Sequence, residues 1–223
     1  MKLIVFNQKI KSGCIRHRND VIEIIIRACE LIISNNFSAL STIKDLSKKQ
    51  YPFIIIGDTS RLFLFEEDKF FSVAFPFQIN IEEKQVSFLN QPFTAGLLAT
   101  VAKALDDFDG KKTIETEPIE NIVDKLWEAV QYNCLSEDDQ YMISRLISYL
   151  LSYEIGYIRY DCDPDTFSKY DKKGKPKVHP KNHFDVNYAS NATYKLGLSK
   201  EILINEFVDC LNPETDCWFL CKK

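Results

Sequence analysis

Hydrophobic and polar residues recur with two different periods along this chain, and the period changes once the first quarter is passed. In the first part, the apolar positions of V-I-E-I-I-I-R-A-C-E-L-I-I have helical spacing, which predicts a helix that begins at Asn19 or Asp20. A short strand or docked tail is expected within residues 1–13, and a second helix from Ser38 to about Lys49. Pro52 ends any helical option there.

From Phe53 to Leu89, short runs rich in Phe, Ile and Val are separated by turn residues. The runs F-I-I-I, R-L-F-L-F, F-F-S-V-A-F, F-Q-I-N-I and Q-V-S-F-L predict an antiparallel meander of four or five strands. Their aromatic density indicates that helices cover one face of this sheet.

Helical patterns return after the meander. Thr94 can cap a helix through A-G-L-L-A-T-V-A-K-A-L, and Pro118 suits the first turn of another. Ser136 precedes a third helix, and Ser199 is expected to cap a short one near the C-terminus.

These elements predict an α+β fold in which N-terminal and central helices pack on an antiparallel meander sheet, with a C-terminal hairpin plus a short helix. An isolated hairpin is only marginally stable, so the meander and the hairpin are expected to belong to one sheet. We expect residues 1–223 to form a single domain, with a weak subdivision near 106–118 as the only alternative boundary.

The composition is that of an ordinary globular protein, with 45% hydrophobic and 27% charged residues. No apolar run reaches the ~18 residues that a membrane span needs, and the first residues lack the features of a signal peptide. The seven cysteines are odd in number and form no C-x-x-C pair. These observations predict a cytoplasmic protein without a membrane partner.

Residues able to do chemistry are concentrated between Tyr157 and Tyr188. This stretch reads Y-I-R-Y-D-C-D-P-D, then a lysine-rich connector, then H-P-K-N-H-F-D-V-N-Y, and it contains two of the three histidines. Successive side chains of a strand point to opposite faces, so two strands here would each have an apolar and a polar face. The apolar face takes Ile158, Tyr160, Cys162, Phe184, Val186 and Tyr188. The polar face takes Arg159, Asp161, Asp163, His183, Asp185 and Asn187. A register that joins the apolar faces also brings the polar residues together.

The polar face supplies the candidate catalytic residues, which are Asp161, Asp163, His183, Asp185 and the nearby His179. Clustered aspartates repel unless a cation offsets their charge, and Arg159, a protonated histidine, the connector lysines or a divalent metal can do so. Carboxylates with histidine bind metals that activate water, so Asp161, Asp163 and His183 are candidate ligands of a divalent metal whose identity is open. Histidine beside aspartate can also be a general acid or base. The alternative is a solvated strand face with simple ion pairs.

The connector adds a basic segment with aromatic residues interleaved. Lys173, Lys175 and Lys181 are candidate substrate-binding residues together with Arg159, and Phe167 and Tyr170 lie among the lysines. A mobile basic loop of this kind can hold a phosphate-rich ligand such as a nucleic acid or nucleotide. A solvated hairpin loop is the alternative, and the net charge of -4 gives no global nucleic-acid signature.

The order R-x-D-x-D-P, connector, H-P-x-x-H, a T-Y-K-L-G-L-like segment and a closing helix resembles a bacterial domain family of unknown function found in defence and toxin–antitoxin gene neighbourhoods. The matching residues are Arg159, Asp161, Asp163, Pro164, His179, Pro180 and His183, and the resemblance covers about the last third of the chain. It implies a basic residue after the strand of the second histidine, where this chain has Lys195, a further candidate for substrate binding.

Site and resemblance together predict a bacterial defence or toxin–antitoxin-type protein that acts on nucleic acid or a nucleotide, with hydrolase or nuclease chemistry. Whether the chain is an enzyme is left open. The alternative is a non-catalytic sensor, antitoxin or subunit of a defence complex that binds a protein partner or a small ligand. The Phe-rich meander and the W-F-L tail would then supply an apolar contact surface.

Overall fold

The computed structural model describes residues 2–10, 15–40, 51–66, 69–107, 136–187 and 193–220, with single positions at 118, 121, 124, 127 and 128. Within these residues the strands are β1 Lys2–Phe6, β2 Phe37–Leu40, β3 Phe53–Ile56, β4 Arg61–Glu66, β5 Lys69–Ala74, β6 Gln78–Asn80, β7 Gln85–Phe88, β8 Gln91–Pro92, β9 Ile158–Cys162, β10 Asn182–Val186 and β11 Tyr194–Gly197. The helices are α1 Arg18–Ile33, α2 Ala95–Asp107, α3 Glu137–Ser152, α4 Pro164–Asp171 and α5 Ile204–Cys210. The predicted α+β class is therefore confirmed.

Eight strands form one antiparallel sheet in the order β11-β10-β9-β5-β4-β3-β1-β2. Strand β9 hydrogen-bonds to β5, so the C-terminal hairpin extends the meander, as the sequence predicted. The remaining strands, β6 to β8, form a separate three-stranded sheet. The prediction that all meander strands share one sheet is wrong for β6 and β7, because strand patterns do not reveal which neighbour a strand joins; β8 lies beyond the predicted meander.

Both faces of the large sheet are covered, whereas the sequence predicted cover on one face. Ile4 and Phe6 of β1 belong to a core that includes residues of α1, α2 and α3, while Leu3 and Val5 belong to a second core with α5. Neighbouring residues of a strand point to opposite faces, so the continuous apolar run of β1 serves both cores.

Helix starts agree with the predicted caps where the chain offers strong capping signals. The Thr94 hydroxyl accepts a hydrogen bond from the Leu97 N–H, and the Ser136 hydroxyl accepts one from the Asp139 N–H. Helix α1 begins two residues before Asp20, whose carboxylate instead accepts the backbone N–H of His17. The predicted helix at Pro118 falls almost wholly outside the described residues.

Two predicted helices differ from the structure. Ser38 lies in β2, which pairs with β1, so a helix beginning there is wrong, and residues 41–50 lie outside the described part of the chain. Ser199 does not cap α5, which begins at Ile204, where the carboxylate of Glu206 accepts the N–H of Leu203. A strong acceptor inside the first turn decided this start.

Among the described residues, no helix is both long and apolar enough to cross a lipid bilayer.

Candidate functional site

Strands β9 and β10 pair so that their polar residues share one face, as the alternation predicted. His183 lies opposite Asp161, Asp185 opposite Arg159, and Phe184 opposite Tyr160. Residues directly opposite each other in an antiparallel pair share a face, so the polar residues of both strands come together. Phe71 of β5 lies opposite Arg159, which places the polar residues on the same side of the sheet as the larger core.

The third strand, β11, adds a lysine to this face. Lys195 lies opposite Asp185, and Gly197 lies opposite His183. The sequence named Lys195 only through the resemblance, and the structure places it at the centre of the group. We call Arg159, Asp161, His183, Asp185 and Lys195 the polar cluster.

Ion pairs connect the four charged members of the polar cluster, in the order Asp161, Arg159, Asp185 and Lys195. Nη2 of Arg159 bridges the two carboxylates, at 2.7 Å from Oδ2 of Asp161 and 2.5 Å from Oδ2 of Asp185. Nζ of Lys195 donates to Oδ1 of Asp185 at 2.6 Å. Two cations thus neutralise two carboxylates, so the repulsion expected for clustered aspartates is compensated.

His183 is completely buried between these charges. Its Nδ1 lies 2.8 Å from the carbonyl oxygen of Pro180, and its Nε2 lies 2.8 Å from Nζ of Lys195. A carbonyl can only accept, so Nδ1 bears the proton and the lone pair of Nε2 faces the ammonium group. Burial and the positive charge of Lys195 lower the pKa of His183, outweighing the opposite effect of Asp185 and Asp161.

Tyr157 joins the cluster from just before β9 and was not among the predicted site residues. Burial raises the pKa of its phenol to about 12 despite the nearby Arg159, so the hydroxyl stays protonated. Burial works to lower the pKa of Arg159, but Tyr157 and the two carboxylates outweigh it and raise that pKa above its ordinary range. The alternation could have identified Tyr157, because it precedes Arg159 by two positions and shares its face.

Asp163 and His179 lie beside the polar cluster and outside it. The carboxylate of Asp163 accepts the N–H of Thr166 and so caps α4, while its other oxygen is 3.8 Å from Nε2 of His179. Burial tends to raise the pKa of Asp163, but the hydrogen bonds from Thr166 and the charge of His179 lower it below its usual value. The signal was present in the sequence, since Asp followed by Pro164 is a typical helix start.

The lysine-rich connector is partly helical, whereas the sequence predicted a hairpin loop. Helix α4 occupies its first half. The ring of Tyr170 stacks on His179 at 6.0 Å between centroids, and His179 meets the ring of His183 edge-on at 4.8 Å. Nζ of Lys173 lies 5.8 Å from the ring centroid of Tyr170. A continuous series of side-chain contacts therefore connects the exposed Lys173 to the buried His183 through the rings of Tyr170 and His179. The predicted substrate-binding residues are all exposed: Lys173 and Lys175 lie on this connector, and Lys181 follows it.

Three buried side chains offer metal-ligating atoms that all lie within 4.8 Å of one another, namely those of Asp161, His183 and Asp185. The predicted ligand group contained Asp163 in place of Asp185; the Asp163 carboxylate caps α4 and is not one of these three side chains. Oδ1 of Asp161 is buried and has no hydrogen-bond partner among the described residues.

The backbone of Gly197 lies close to the ring of Pro180, whose carbonyl holds the imidazole of His183 in place. A Cβ atom on Gly197 would lie 2.8 Å from Cγ of Pro180, the residue whose carbonyl accepts the proton of His183 Nδ1. Only glycine leaves room for Pro180 at this distance. The sequence showed Gly197 only as part of a T-Y-K-L-G-L segment, and its role depends on a contact of β11 with Pro180, two residues before β10, that sequence spacing does not encode.

Comparison of the chain with protein-family models, curated proteins and solved structures finds no match. The resemblance carried by Arg159, Asp161, Asp163 and the two histidines stays a prediction.

Proposed function

We propose that the polar cluster is the reactive site of a hydrolase that acts on a phosphate ester of a nucleic acid or nucleotide. The observation that carries this proposal is that the two cations of the cluster are more exposed than its two carboxylates and its histidine. The side chains of Arg159 and Lys195 keep 23% and 28% of their surface exposed, while those of Asp161, Asp185 and His183 keep 9%, 4% and 0%. A ligand that approaches from solvent therefore meets two cations first, and the acids and the histidine lie behind them.

The cations are suited to phosphate. Arg159 presents a planar guanidinium that matches phosphate oxygens, and Lys195 presents a compact ammonium group. Arg159 is already ordered by both carboxylates, so little of its side-chain freedom is lost when an anion binds. In the proposed site, Arg159 and Lys195 bind the phosphate and neutralise the charge that develops on it.

Behind the phosphate, Asp161, Asp185 and His183 provide the groups that can activate water. Aspartate accepts a proton or orients a water molecule, and His183 keeps a lone pair on Nε2 because its Nδ1 proton is donated to Pro180. Burial excludes bulk water, which strengthens each of these electrostatic interactions.

The exposed lysines of the connector favour a polyanion over a small neutral substrate. Lys169, Lys172, Lys173, Lys175, Lys177 and Lys181 all lie within thirteen positions of one another and are exposed. Their charge contrasts with the chain's net charge of -4, so they form a local field beside the polar cluster.

The test is hydrolysis of a fluorescently labelled single-stranded oligonucleotide and of a nitrophenyl phosphodiester, in buffers with and without added divalent metals. Lys195→Met and His183→Gln are expected to lower the rate at least about 100-fold, as removal of electrostatic and acid–base groups does. Lys200→Met is the matched control, since Lys200 pairs with Glu206 of α5, contacts no member of the polar cluster in any hydrogen bond or ion pair of the described residues, and its side chain is 70% exposed. Equal rates in all four proteins, or no hydrolysis by the wild type in any buffer, would contradict the proposal.

A biological role in bacterial defence or a toxin–antitoxin pair belongs to the same proposal and is supported by the resemblance of the last third of the chain. Phage plating on cells that express the wild type or His183→Gln tests it. Protection or toxicity that disappears in the variant supports the role, and equal plating on both strains and on empty cells argues against it.

A non-catalytic subunit is the second candidate, and the exposed C-terminal residues favour it. Phe219 and Leu220 are 87% and 82% exposed, whereas the aromatic residues of β3 to β5 that the sequence offered as a contact surface are largely buried. Removal of residues 219–223 would abolish stoichiometric binding of a protein partner in this case and leave hydrolysis unchanged if the polar cluster is the site.

A further inference from the structure

We infer that the polar cluster binds one divalent cation through Asp161, His183 and Asp185, and that this cation takes the place of the ammonium group of Lys195. The inference rests on the proposed function in one respect, because it specifies how the proposed site activates water. Four features of the cluster support it.

The first feature is the position of Lys195. Its Nζ contacts Nε2 of His183 at 2.8 Å and Oδ1 of Asp185 at 2.6 Å. Nε2 of His183 also lies 3.7 Å from an oxygen of each aspartate. The ammonium group is thus a cation placed among the lone pairs that a metal would use.

The second feature is the unpartnered oxygen of Asp161. The side chain is 9% exposed, and among the described residues Oδ1 has no hydrogen-bond partner, although Oδ2 is bound by Arg159. A buried carboxylate oxygen without a partner is costly, so a native site that contains one calls for a ligand. Oδ1 belongs to the same carboxyl group as Oδ2, which lies 3.7 Å from Nε2 of His183, so a cation bound beside His183 or its water would satisfy it.

The third feature is the tautomer of His183. Metal-ligating histidines almost always donate their other ring N–H to a carbonyl or carboxylate, which fixes the ring and directs the lone pair. His183 donates Nδ1–H to Pro180 in this manner and is itself completely buried. The ring is therefore oriented for ligation through Nε2 before any metal arrives.

The fourth feature is the charge balance. With Lys195 in place, the two cations and two carboxylates of the cluster sum to zero. A divalent cation in place of the ammonium group makes the cluster positive by one, and Lys195 is released toward solvent, where 28% of its side chain already lies. The exchange therefore adds attraction for phosphate at the surface of the site.

Two carboxylates and one imidazole suit Mn²⁺ or Zn²⁺ better than Ca²⁺, which prefers six to eight oxygen ligands. When bound, such a cation lowers the pKa of its water and polarises a phosphoryl oxygen. The residues of the chain fix the ligand geometry, and Arg159 keeps the two carboxylates adjacent.

The test is isothermal titration of the full chain with Mn²⁺ and Zn²⁺, after dialysis against EDTA. We expect one equivalent to bind, at least about 10-fold tighter than Ca²⁺. Lys195→Met should bind Mn²⁺ about 10-fold tighter than the wild type because no ammonium group competes, and Asp161→Asn and His183→Gln should each lose at least about 10-fold. Asp163→Asn is the control, since asparagine also caps α4, and its affinity should match the wild type.

Folding of each variant is verified by its unfolding midpoint in urea, and Asp161→Asn and His183→Gln report on two different ligands if one fails to fold. Absence of binding to the wild type at millimolar Mn²⁺ and Zn²⁺, or equal affinities of the wild type and Lys195→Met, would overturn the inference. Hydrolysis that persists in EDTA would also overturn it while leaving the proposed function intact. Metal binding without hydrolysis would leave the inference intact and contradict the proposed function.

Discussion

The two faces of the β9–β10 hairpin are buried to nearly the same extent but are stabilised by different interactions. On one face Tyr160 and Phe184 are 2% and 5% exposed and share a core with Phe207 of α5. On the other face the whole residues Asp161 and Asp185 are 6% and 3% exposed, and their carboxylates are bound by cations. Equal burial therefore does not mean an equal contribution to stability.

The energetic balance of the two faces explains the difference. Apolar surface removed from water stabilises the fold by roughly 25 cal/mol per Å². Charges removed from water lose hydration, and their mutual attraction often does no more than offset that loss. The polar face gains little stability from its ion pairs, which is the physical reason to expect that it serves binding or catalysis.

Truncation on the apolar face should have the largest effect on stability. Phe207 is completely buried and its ring lies 6.0 Å from those of Phe63 and Phe184. Phe207→Ala removes this contact and leaves a cavity, so the free energy of unfolding in urea should fall by about 3 to 5 kcal/mol. The metal affinity of the fraction that stays folded should not change, and a loss of affinity together with stability would show that the two faces are not independent.

Removal of one charge from the polar face should have a smaller effect. Asp185→Ala leaves Arg159 and Lys195 without a shared carboxylate, and both can turn toward solvent. We expect a loss of about 2 kcal/mol in the free energy of unfolding, below that of an entirely buried pair. Urea denaturation measures it, and a loss as large as that of Phe207→Ala would indicate that the ion pairs stabilise the fold.

The support beneath His183 should respond to a single added methyl group. Gly197→Ala places a Cβ atom 2.8 Å from Cγ of Pro180, so Pro180 must shift together with the carbonyl that accepts the His183 proton. The free energy of unfolding should fall by about 1 kcal/mol, and Mn²⁺ affinity should weaken as well. Gly57→Ala is the control because a Cβ there meets nothing within 4 Å. Unchanged affinity in Gly197→Ala would show that Pro180 does not position the histidine.

The pH dependence of stability should show the smallest effect. His183 faces Lys195, Asp161, Asp185 and the ring of His179, and its folded pKa lies below the ordinary value of 6.5. As the pH falls below 6.5, His183 takes up a proton in the unfolded chain before it does so in the folded chain. The contribution of neutral His183 to the free energy of unfolding is therefore fully present above pH 6.5 and is lost as the pH falls toward the folded pKa. In EDTA, His183→Gln should flatten the fall in unfolding free energy between pH 7 and 5. An identical slope in both proteins would contradict this assignment.

The sequence predicted the hairpin because its strands alternate strictly, and the placement of His183 and Asp161 on one face followed from that alternation, whereas their position directly opposite each other did not. Other features depend on information that local patterns lack. Residues from Ser38 onward have helical spacing at Leu40 and beyond, yet Phe37–Leu40 pairs with β1, because tertiary pairing outweighs propensity. The position of Lys195 depends on a third strand.

The most direct test of the difference between the faces removes the four charges of the polar cluster at once. The variant carries Arg159→Met, Asp161→Leu, Asp185→Leu and Lys195→Met, which leaves the net charge of the chain unchanged. Buried ion networks replaced by apolar residues are often neutral or more stable by about 1 to 4 kcal/mol. We predict that its free energy of unfolding in urea equals or exceeds that of the wild type, while binding of Mn²⁺ disappears. A variant that is less stable by more than about 3 kcal/mol would contradict the account, because the polar cluster would then be a structural element of the fold.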